Sequence, residues 1–193
     1  FPKKEVMEQF SRFGTPYIGH PNNKLPGIEM NSGSLGHGLP VSVGMALAGK
    51  MDRRDYRVYT VMGDGELAEG SVWEGAMSAS QYKLDNLCAV VDRNRLQANG
   101  RTKERFDTGD IMAKFLSFGW HVIEINGHDM REILSALDEA ETVKGVPTAI
   151  IANTVKGKGV SFAENVVGYH NGMLTEETYR QALLELTVQE QEA

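Results

Sequence analysis

Asp64 and Asn94 have the residue types and the spacing expected of a shared ligand site. Asp64 lies between Gly63 and Gly65, and Asn94 follows Asp64 by 30 residues. Carboxylate and amide oxygens are hard ligands, which Mg²⁺ and Ca²⁺ prefer. Glycines without a Cβ let a phosphate group approach the backbone closely. The pattern therefore predicts a divalent cation held together with a diphosphate.

Two predicted strands position these two residues. An apolar run at 56–62 ends just before the glycine–aspartate–glycine triplet, and a second run at 86–92 ends just before Asn94. The segment 68–83 between them has the pattern of a helix. A strand–helix–strand unit makes the two strands parallel neighbours, so both residues are expected at the carboxyl edge of one sheet.

The rest of the chain continues this alternation and predicts an α/β fold, a parallel sheet flanked by helices. The strands carry continuous Val and Ile runs, as expected when helices cover both faces of the sheet. A loop rich in Gly, Pro and Asn is expected over 14–32. Predicted strands cover 56–62, 86–92, 120–125 and 147–153; predicted helices cover 1–13, 35–51, 68–83, 110–118, 129–143 and 175–188.

Composition narrows the class of protein. The 193 residues suffice for a single domain, 1–193, and 41% hydrophobic with 24% charged residues is typical of a globular chain. A net charge of -6 argues against nucleic acid as a partner, and no apolar stretch could span a membrane. The single cysteine, Cys88, falls in a predicted buried strand. A cytoplasmic location is expected, because the chain cannot form an internal disulfide.

Three sequence blocks together resemble the cofactor-binding domain of transketolase. The glycine–aspartate–glycine triplet with its distant asparagine is similar to the signature of thiamin diphosphate enzymes. The resemblance runs from about Gly19 to the end of the chain, through GHPNNKLPGIEMNSGSLGHGLPVSVGMALAGK, GDGELAEGSVWEGAMSASQYKLDNLCAVVDRNRLQANGRTKE and GYHNGML. It implies a thiamin diphosphate-binding fold, specifically the domain that binds the diphosphate.

The resemblance also implies how the cofactor is held. The side chains of Asp64 and Asn94 and the main-chain carbonyl of Leu96 would bind Mg²⁺ or Ca²⁺. Gly63 and Gly65 would lie against the diphosphate, and the Gly65 N–H would donate to it at the start of the following helix. A metal-only binding module is the weaker alternative, because these three ligands make a poor site without diphosphate.

Further roles follow from the same resemblance. Backbone atoms of Gly33 and Leu35 are expected against the aminopyrimidine ring of the cofactor. Glu69 is expected at an interface between subunits, beside the glutamate that activates the cofactor, or else simply as a first-turn residue that complements the helix dipole. His37 takes a position where many relatives have glutamine, and its participation stays open.

Two of the five histidines are expected in catalysis. His20 and His170 would face the substrate channel and move protons to and from sugar hydroxyls, which suits a side chain whose pKa is close to neutral. His170 would also contact the cofactor. His121 and His128 match nothing catalytic and are expected on the surface or in packing, and Asp129 is expected to cap the helix that follows it.

The implied activity is transfer of a two-carbon ketol unit from a ketose phosphate to an aldose. The family also needs a pyrimidine-binding domain, expected here on a carboxy-terminal partner subunit in an α2β2 assembly. A Ser-Lys-Gly-His segment precedes this region in the family, so a truncated amino terminus is expected.

Other assignments stay open. The rivals within thiamin diphosphate enzymes are dihydroxyacetone synthase and transketolases for sulfo-sugars or branched sugars. The α-subunits of 2-oxo acid dehydrogenases and deoxyxylulose phosphate synthase fit the three blocks less well. A truncated, non-catalytic subunit is the alternative from another class.

Overall fold

The computed structural model describes residues 2–192, without the side chains of 188–192. These residues divide into two compact units, one that ends at Leu35 and one that begins at Gly36. The first unit contains one helix and the predicted loop, and the second contains every strand. The prediction of a single domain stays a prediction.

The second unit contains a four-stranded parallel sheet in the order β1-β2-β6-β5, together with a separate two-stranded hairpin, β3-β4. β1 and β2 are parallel neighbours, as predicted, and Gly63 is paired with Asp92 at their ends. The α/β fold class is confirmed. The strands are β1 (Val58–Gly63), β2 (Leu87–Arg93), β3 (Leu96–Gln97), β4 (Gly100–Arg101), β5 (His121–Asn126) and β6 (Thr148–Asn153).

The helices lie close to their predicted positions but begin or end at different residues. The predicted helix over 1–13 is shorter, and the predicted helix over 68–83 is preceded by a 3-10 turn, Asp64–Ala68. A second 3-10 turn covers Val167–His170. The α-helices are α1 (Lys3–Gln9), α2 (Gly38–Met51), α3 (Gly70–Gln81), α4 (Thr102–Arg105), α5 (Ile111–Ser117), α6 (Met130–Thr142) and α7 (Glu176–Glu192). None of the helices in the described part of the chain is long and apolar enough to cross a membrane.

Helices bury both faces of the central strand β2. Leu87, Ala89 and Val91 face a core that α2, α3 and α5 complete, whereas Cys88 faces a second cluster formed with Ala136 and Ala140 of α6. Successive strand residues point to opposite faces, so an apolar run buried on both sides needs a layer of helices on each. This sandwich fixes the sheet edge at which Asp64 and Asn94 lie.

Aromatic side chains anchor α3 and α5 on the first face. Phe115 is fully buried between Trp73 and Trp120, with ring centroids 5.4 and 5.2 Å away. Each indole N–H also finds an acceptor, since Trp73 donates to the Leu67 carbonyl and Trp120 to the Ala76 carbonyl, both at 2.9 Å. Burying tryptophan with its N–H satisfied adds apolar contact without an unpaired polar group.

Candidate functional site at the carboxyl edge of the sheet

Asp64 follows β1 directly and opens the 3-10 turn. Its side chain is buried, with 3% of the residue exposed. One carboxylate oxygen, Oδ2, accepts a hydrogen bond from the Arg95 N–H at 2.7 Å. The other, Oδ1, is buried with no hydrogen-bond partner. A buried, unpaired carboxylate oxygen is costly unless a ligand satisfies it.

The pKa of Asp64 indicates that its negative charge is poorly stabilised without a bound cation. Burial raises the pKa of the Asp64 carboxyl above its ordinary value, although hydrogen bonds from the Arg95 and Gly65 N–H groups act in the opposite direction. Desolvation therefore outweighs these local donors and disfavours the charged form. A divalent cation beside Oδ1 would reverse that balance.

Asn94 follows β2, and its loop is tied to Asp64 through the next residue, Arg95. The Asn94 Oδ1 accepts a hydrogen bond from the Leu96 N–H at 2.9 Å, and its Nδ2 donates to Asp92 at 3.4 Å. The side chain thus stabilises its own turn. An amide oxygen has two lone pairs, so this bond leaves one free for a cation.

A short hairpin that the sequence analysis did not predict holds this loop in place. β3 and β4 pair Leu96 with Arg101, and the Asn99-Gly100 turn signal lies at its tip. Leu96 is buried, at 6% exposed. The Leu96 backbone, the expected source of a carbonyl ligand, therefore belongs to a fixed element.

The two glycines beside Asp64 have different surroundings. A Cβ at Gly63 would meet nothing within 4 Å, so the space beside it is open, as a ligand approach requires. A Cβ at Gly65 would lie 2.9 Å from the Cβ of Gln97 in the hairpin. Close packing of the hairpin is therefore one reason for glycine at 65, in addition to the predicted approach of a diphosphate.

His170 ends the 3-10 turn Val167–His170 and is exposed. That turn packs against β3, the strand that begins at Leu96. Within the turn, the ring of Tyr169 packs against that of Phe162, with the ring centroids 5.5 Å apart. His170 is thus on a segment that borders the Asn94 loop, as its predicted contact with the cofactor requires.

The oxygen atoms that the protein offers near Asp64 are too few to complete the coordination of a cation by themselves. Among the side chains of residues 2–187, no group of three or more His, Cys, Asp or Glu is arranged to hold a metal. A cation at Asp64 would need the Asn94 amide oxygen, a backbone carbonyl such as that of Leu96, and oxygens from a bound molecule. A diphosphate provides such oxygens, and Mg²⁺ commonly shares protein carboxylates with substrate phosphates.

Comparison with known proteins decides the family. The family model described as "Transketolase, thiamine diphosphate binding domain" matches residues 3–192. The chain belongs to the transketolase family. Membership of that family agrees with the fold and with the position of Asp64 and Asn94 at the sheet edge.

Named transketolase relatives resemble the chain over most of its length. It is 46% identical over 187 residues to an apulose-4-phosphate transketolase subunit of Phocaeicola vulgatus, covering 97% of this chain and 66% of that protein. It is 43% identical over 183 residues to a 6-deoxy-6-sulfo-D-fructose transketolase subunit of Clostridium sp., covering 94% and 66%. The crystal structure of transketolase from Campylobacter jejuni superposes with a TM-score of 0.87 at 32% identity, covering 95% of this chain and 30% of that one. The chain thus spans just under two thirds of the two relatives named as subunits.

Within the first unit, the structure brings together two residues predicted for different roles. A Cβ at Gly33 would lie 2.7 Å from the His20 ring, and the positive φ of Gly33, 124°, is one that other residues rarely adopt. His20 and Gly33 are therefore neighbours, and glycine leaves room for the imidazole. Leu35, the last residue of this unit, is 58% exposed.

Glu69 and His37 both lie just before helices in the second unit. Glu69 is the N-cap residue of α3 and His37 that of α2, and neither side chain makes a capping hydrogen bond. Both residues are exposed. Glu69 is thus available for the predicted interface contact and also stands at the positive end of the helix dipole.

The structure also places three other residues named in the sequence analysis. Asp129 caps α6 by accepting the Arg131 N–H, as expected. His121 contacts Glu139 on the surface at 2.7 Å, and His128 accepts the Val155 N–H at 2.7 Å. Both histidines therefore make contacts within the fold, and their lack of a catalytic role stays a prediction.

The structure also reveals residues that sequence reasoning missed. Glu66 and Ser71 hold the backbone of Gly36 from the segment after Asp64. A cluster of basic side chains lines a cavity beside Asp64. The repeated Arg and Lys residues over 93–105 signalled that cluster, whereas no sequence signal marked the bonds to Gly36.

Proposed function

We propose that this chain is the diphosphate-binding part of a thiamin diphosphate-dependent transferase that moves a two-carbon ketol unit between sugars. The observation that carries the proposal is the buried Asp64 carboxylate, with one oxygen unpaired, beside the Asn94 loop. Family membership supports the cofactor class, and the unpaired oxygen supports a cation beside Asp64.

In this proposal Asp64, Asn94 and the Leu96 carbonyl hold Mg²⁺ or Ca²⁺, and the cation holds the diphosphate. The open space beside Gly63 would accommodate the phosphate oxygens, and the Gly65 N–H would donate to them. Asp64 supplies the one full negative charge among the three protein ligands. Cation binding and diphosphate binding are therefore expected to depend on each other.

Thiamin diphosphate, when bound, supplies a nucleophilic carbon that accepts a two-carbon unit from a ketose. The chain's own residues orient the reactants and move protons. In the proposal the His170 and His20 imidazoles exchange protons with sugar hydroxyls, while Gly33 and Leu35 contact the aminopyrimidine ring. Glu69 acts at an interface, where its carboxylate contacts the residue that activates the cofactor.

The proposal includes a partner chain that carries the pyrimidine-binding domain, in an α2β2 assembly. Two of the similar proteins are named as subunits of transketolases, which supports an enzyme divided between polypeptides. The substrates in this proposal are sugar phosphates, and the setting is carbohydrate metabolism of the pentose phosphate type in the cytoplasm. The relatives are named for apulose 4-phosphate and a sulfo-fructose, so branched and sulfo-sugars are the rival donors.

Replacing Asp64 tests the site. Asp64→Ala removes the only side-chain carboxylate of the proposed cation site, so we expect affinity for thiamin diphosphate with Mg²⁺ to fall at least about 100-fold, because charge-assisted ligand contacts are strong. Isothermal titration calorimetry of the purified protein measures this loss. Asp138→Ala, at an exposed position on α6, is the control. Equal affinities for wild type and Asp64→Ala would contradict the site assignment.

Native mass spectrometry tests the composition of the assembly. We expect masses for thiamin diphosphate, a divalent cation and a second, different polypeptide in the protein purified gently from its source. A stable homo-oligomer that turns over sugar phosphates alone would contradict the partner proposal. Identification of the second polypeptide would also narrow the donor sugar.

A further inference from the structure

Three asparagines in the chain precede a glycine, namely Asn99, Asn126 and Asn171. Glycine after asparagine favours deamidation, because no side chain shields the glycine nitrogen from the asparagine carboxamide. The reaction requires that nitrogen to reach the carboxamide carbon, so its rate depends on how freely the backbone and the side chain can turn. The three pairs therefore share the same chemistry and differ in how the fold holds them.

The fold holds the pair Asn126-Gly127 at both reacting groups. The Asn126 Oδ1 accepts a hydrogen bond from the His128 N–H at 3.0 Å, and the Gly127 N–H donates to the Asn153 carbonyl at 2.8 Å. Asn126 also ends β5, where its own N–H donates to the Glu132 carboxylate at 2.7 Å. The two hydrogen bonds at the reacting groups must open before the two groups can meet, which lowers the fraction of molecules that can react.

The pair Asn99-Gly100 is held less firmly, at the tip of the hairpin. The Asn99 Oδ1 accepts a hydrogen bond from the Gln97 side chain at 3.1 Å. Gly100 belongs to β4 and is paired with Gln97 of β3. Turning the peptide between Asn99 and Gly100 would disturb this hairpin, so we expect an intermediate rate here.

The pair Asn171-Gly172 has no such restraint. It lies between the 3-10 turn Val167–His170 and α7, and both of its residues are exposed. Within the described part of the chain, neither the Asn171 carboxamide nor the Gly172 N–H makes a hydrogen bond. The carboxamide and the attacking nitrogen can therefore approach each other without breaking a hydrogen bond of the fold.

Packing explains why a glycine stands at position 172. A Cβ there would lie 2.8 Å from the Tyr169 ring and 3.1 Å from the Gly168 carbonyl oxygen. Contacts this short would force the turn or the ring to shift, so a larger residue is disfavoured. The fold thus places an unshielded nitrogen next to an unrestrained carboxamide, directly after His170.

We propose that Asn171 is a site of spontaneous deamidation, and that the product alters the segment that carries His170. The Gly172 nitrogen attacks the Asn171 Cγ, and the new C–N bond closes a succinimide ring. The side-chain nitrogen leaves as ammonia and takes the proton that the Gly172 nitrogen gives up. Water then adds to one of the two imide carbonyl carbons and breaks its bond to the ring nitrogen. Opening at Cγ gives aspartate, and opening at the backbone carbonyl gives isoaspartate, in which the main chain runs through Cβ.

Either product replaces a neutral amide by a carboxylate next to His170. Isoaspartate also lengthens the main chain by a methylene group between the 3-10 turn and α7. The turn packs against β3, which contains Leu96, so a displaced turn disturbs the edge of the proposed cation site. The effect on cofactor binding rests on the proposed function, whereas the modification itself does not.

Peptide mapping of aged protein tests the site. The purified chain is kept in warm, mildly alkaline buffer, in its native state and in guanidinium chloride, and each peptide is followed by liquid chromatography with mass spectrometry. Deamidation adds about 1 Da, and chromatography separates isoaspartate from aspartate. The denatured sample is the internal control, because the fold no longer restrains any of the three asparagines there. Asn171→Gln is the matched variant, since glutamine must close a larger and less favourable ring.

In the native protein we expect Asn171 to deamidate at least about tenfold faster than Asn126, because two hydrogen bonds must open at Asn126 and none at Asn171. Asn99 should fall between them. In guanidinium chloride the three rates should agree within about threefold, since the restraints of the fold are gone. The proposal is overturned if native Asn171 reacts no faster than native Asn126, or if the denatured protein shows the same spread of rates as the native one.

Calorimetric titration of the aged protein tests the consequence. Aged wild type should lose thiamin diphosphate binding in proportion to the isoaspartate found at Asn171, whereas Asn171→Gln aged in the same way should keep its initial affinity. Isoaspartate at this position with unchanged cofactor affinity would overturn the effect on the His170 segment and leave the modification site standing. Fresh wild type that does not bind thiamin diphosphate would overturn the proposed function, and the peptide map would still decide the modification.

Discussion

The Glu66 carboxylate accepts a hydrogen bond from the backbone N–H of Gly36 at 2.8 Å, across 30 residues of sequence. The Gly36 carbonyl is held as well, by the Ser71 hydroxyl at 2.8 Å. Glu66 belongs to the 3-10 turn that opens with Asp64, and Ser71 to α3. The segment that carries the proposed cation ligand thus fixes both backbone polar groups of Gly36.

Replacing Glu66 should therefore cost stability. Glu66→Ala leaves the partly buried Gly36 N–H without its charged acceptor, and we expect the free energy of unfolding to fall by about 1–3 kcal/mol. Urea denaturation measures the change. Glu66→Gln retains an acceptor oxygen and should lose less than half as much. Midpoints equal to wild type in both variants would show that the bond contributes nothing.

The glycines on either side of Asp64 form a matched pair. Gly65→Ala brings a Cβ to within 2.9 Å of the Gln97 Cβ, so the hairpin must shift, and we expect a loss of about 1–3 kcal/mol in unfolding free energy. Gly63→Ala meets nothing within 4 Å and should unfold like wild type. Urea denaturation of the two variants side by side measures the difference. Equal stabilities would show that the hairpin accommodates the added Cβ without loss of unfolding free energy.

The same pair reports on the ligand. If the diphosphate lies against Gly63, as proposed, Gly63→Ala should weaken thiamin diphosphate binding although the protein is as stable as wild type. Calorimetric titration of the variant decides this point. Full cofactor affinity in Gly63→Ala would place the diphosphate elsewhere.

The sequence alone predicted the strands of the sheet and the position of Asp64 at the end of β1. Both predictions rest on short stretches of sequence, namely the apolar runs and the glycine–aspartate–glycine triplet. The order β1-β2-β6-β5 and the bond from Glu66 to Gly36 depend on how helices pack across the sheet, which no local pattern encodes. The hairpin at Leu96 was missed for a related reason. Its strands have two residues each and are too short to show an alternating pattern.

Cys88 should be unreactive in the folded protein. Its thiol is fully buried, and burial raises its pKa to about 11, so only about one molecule in a thousand carries a thiolate at pH 8. We expect iodoacetamide to leave the native protein unmodified for hours and to label it completely in guanidinium chloride. Mass spectrometry of the intact protein measures both. Rapid labelling without denaturant would show that the α6 face of the sheet opens.

Asp64 should make the metal-free protein less stable as the pH rises. Its folded pKa is raised, mainly by burial, so the folded state holds the proton more tightly than the unfolded state. The unfolding free energy must then fall as the pH increases from the unfolded pKa, near 3.8, through the folded value. Below both pKa values the carboxyl is neutral in both states and carries no penalty.

Asp64→Asn tests this sign directly, because the amide keeps the shape without the charge. In a chelating buffer, we expect the variant to match wild type at low pH and to become more stable than wild type, by about 1 kcal/mol, as the pH rises to neutrality. Urea denaturation across that pH range, with Asp138→Asn as control, gives the difference. Mg²⁺ with pyrophosphate should stabilise wild type alone, since only the carboxylate supplies the charge that the cation needs. An advantage of Asp64→Asn that shrinks with rising pH would mean that the Asp64 charge is already compensated within the protein, and that the unpaired oxygen does not require a cation.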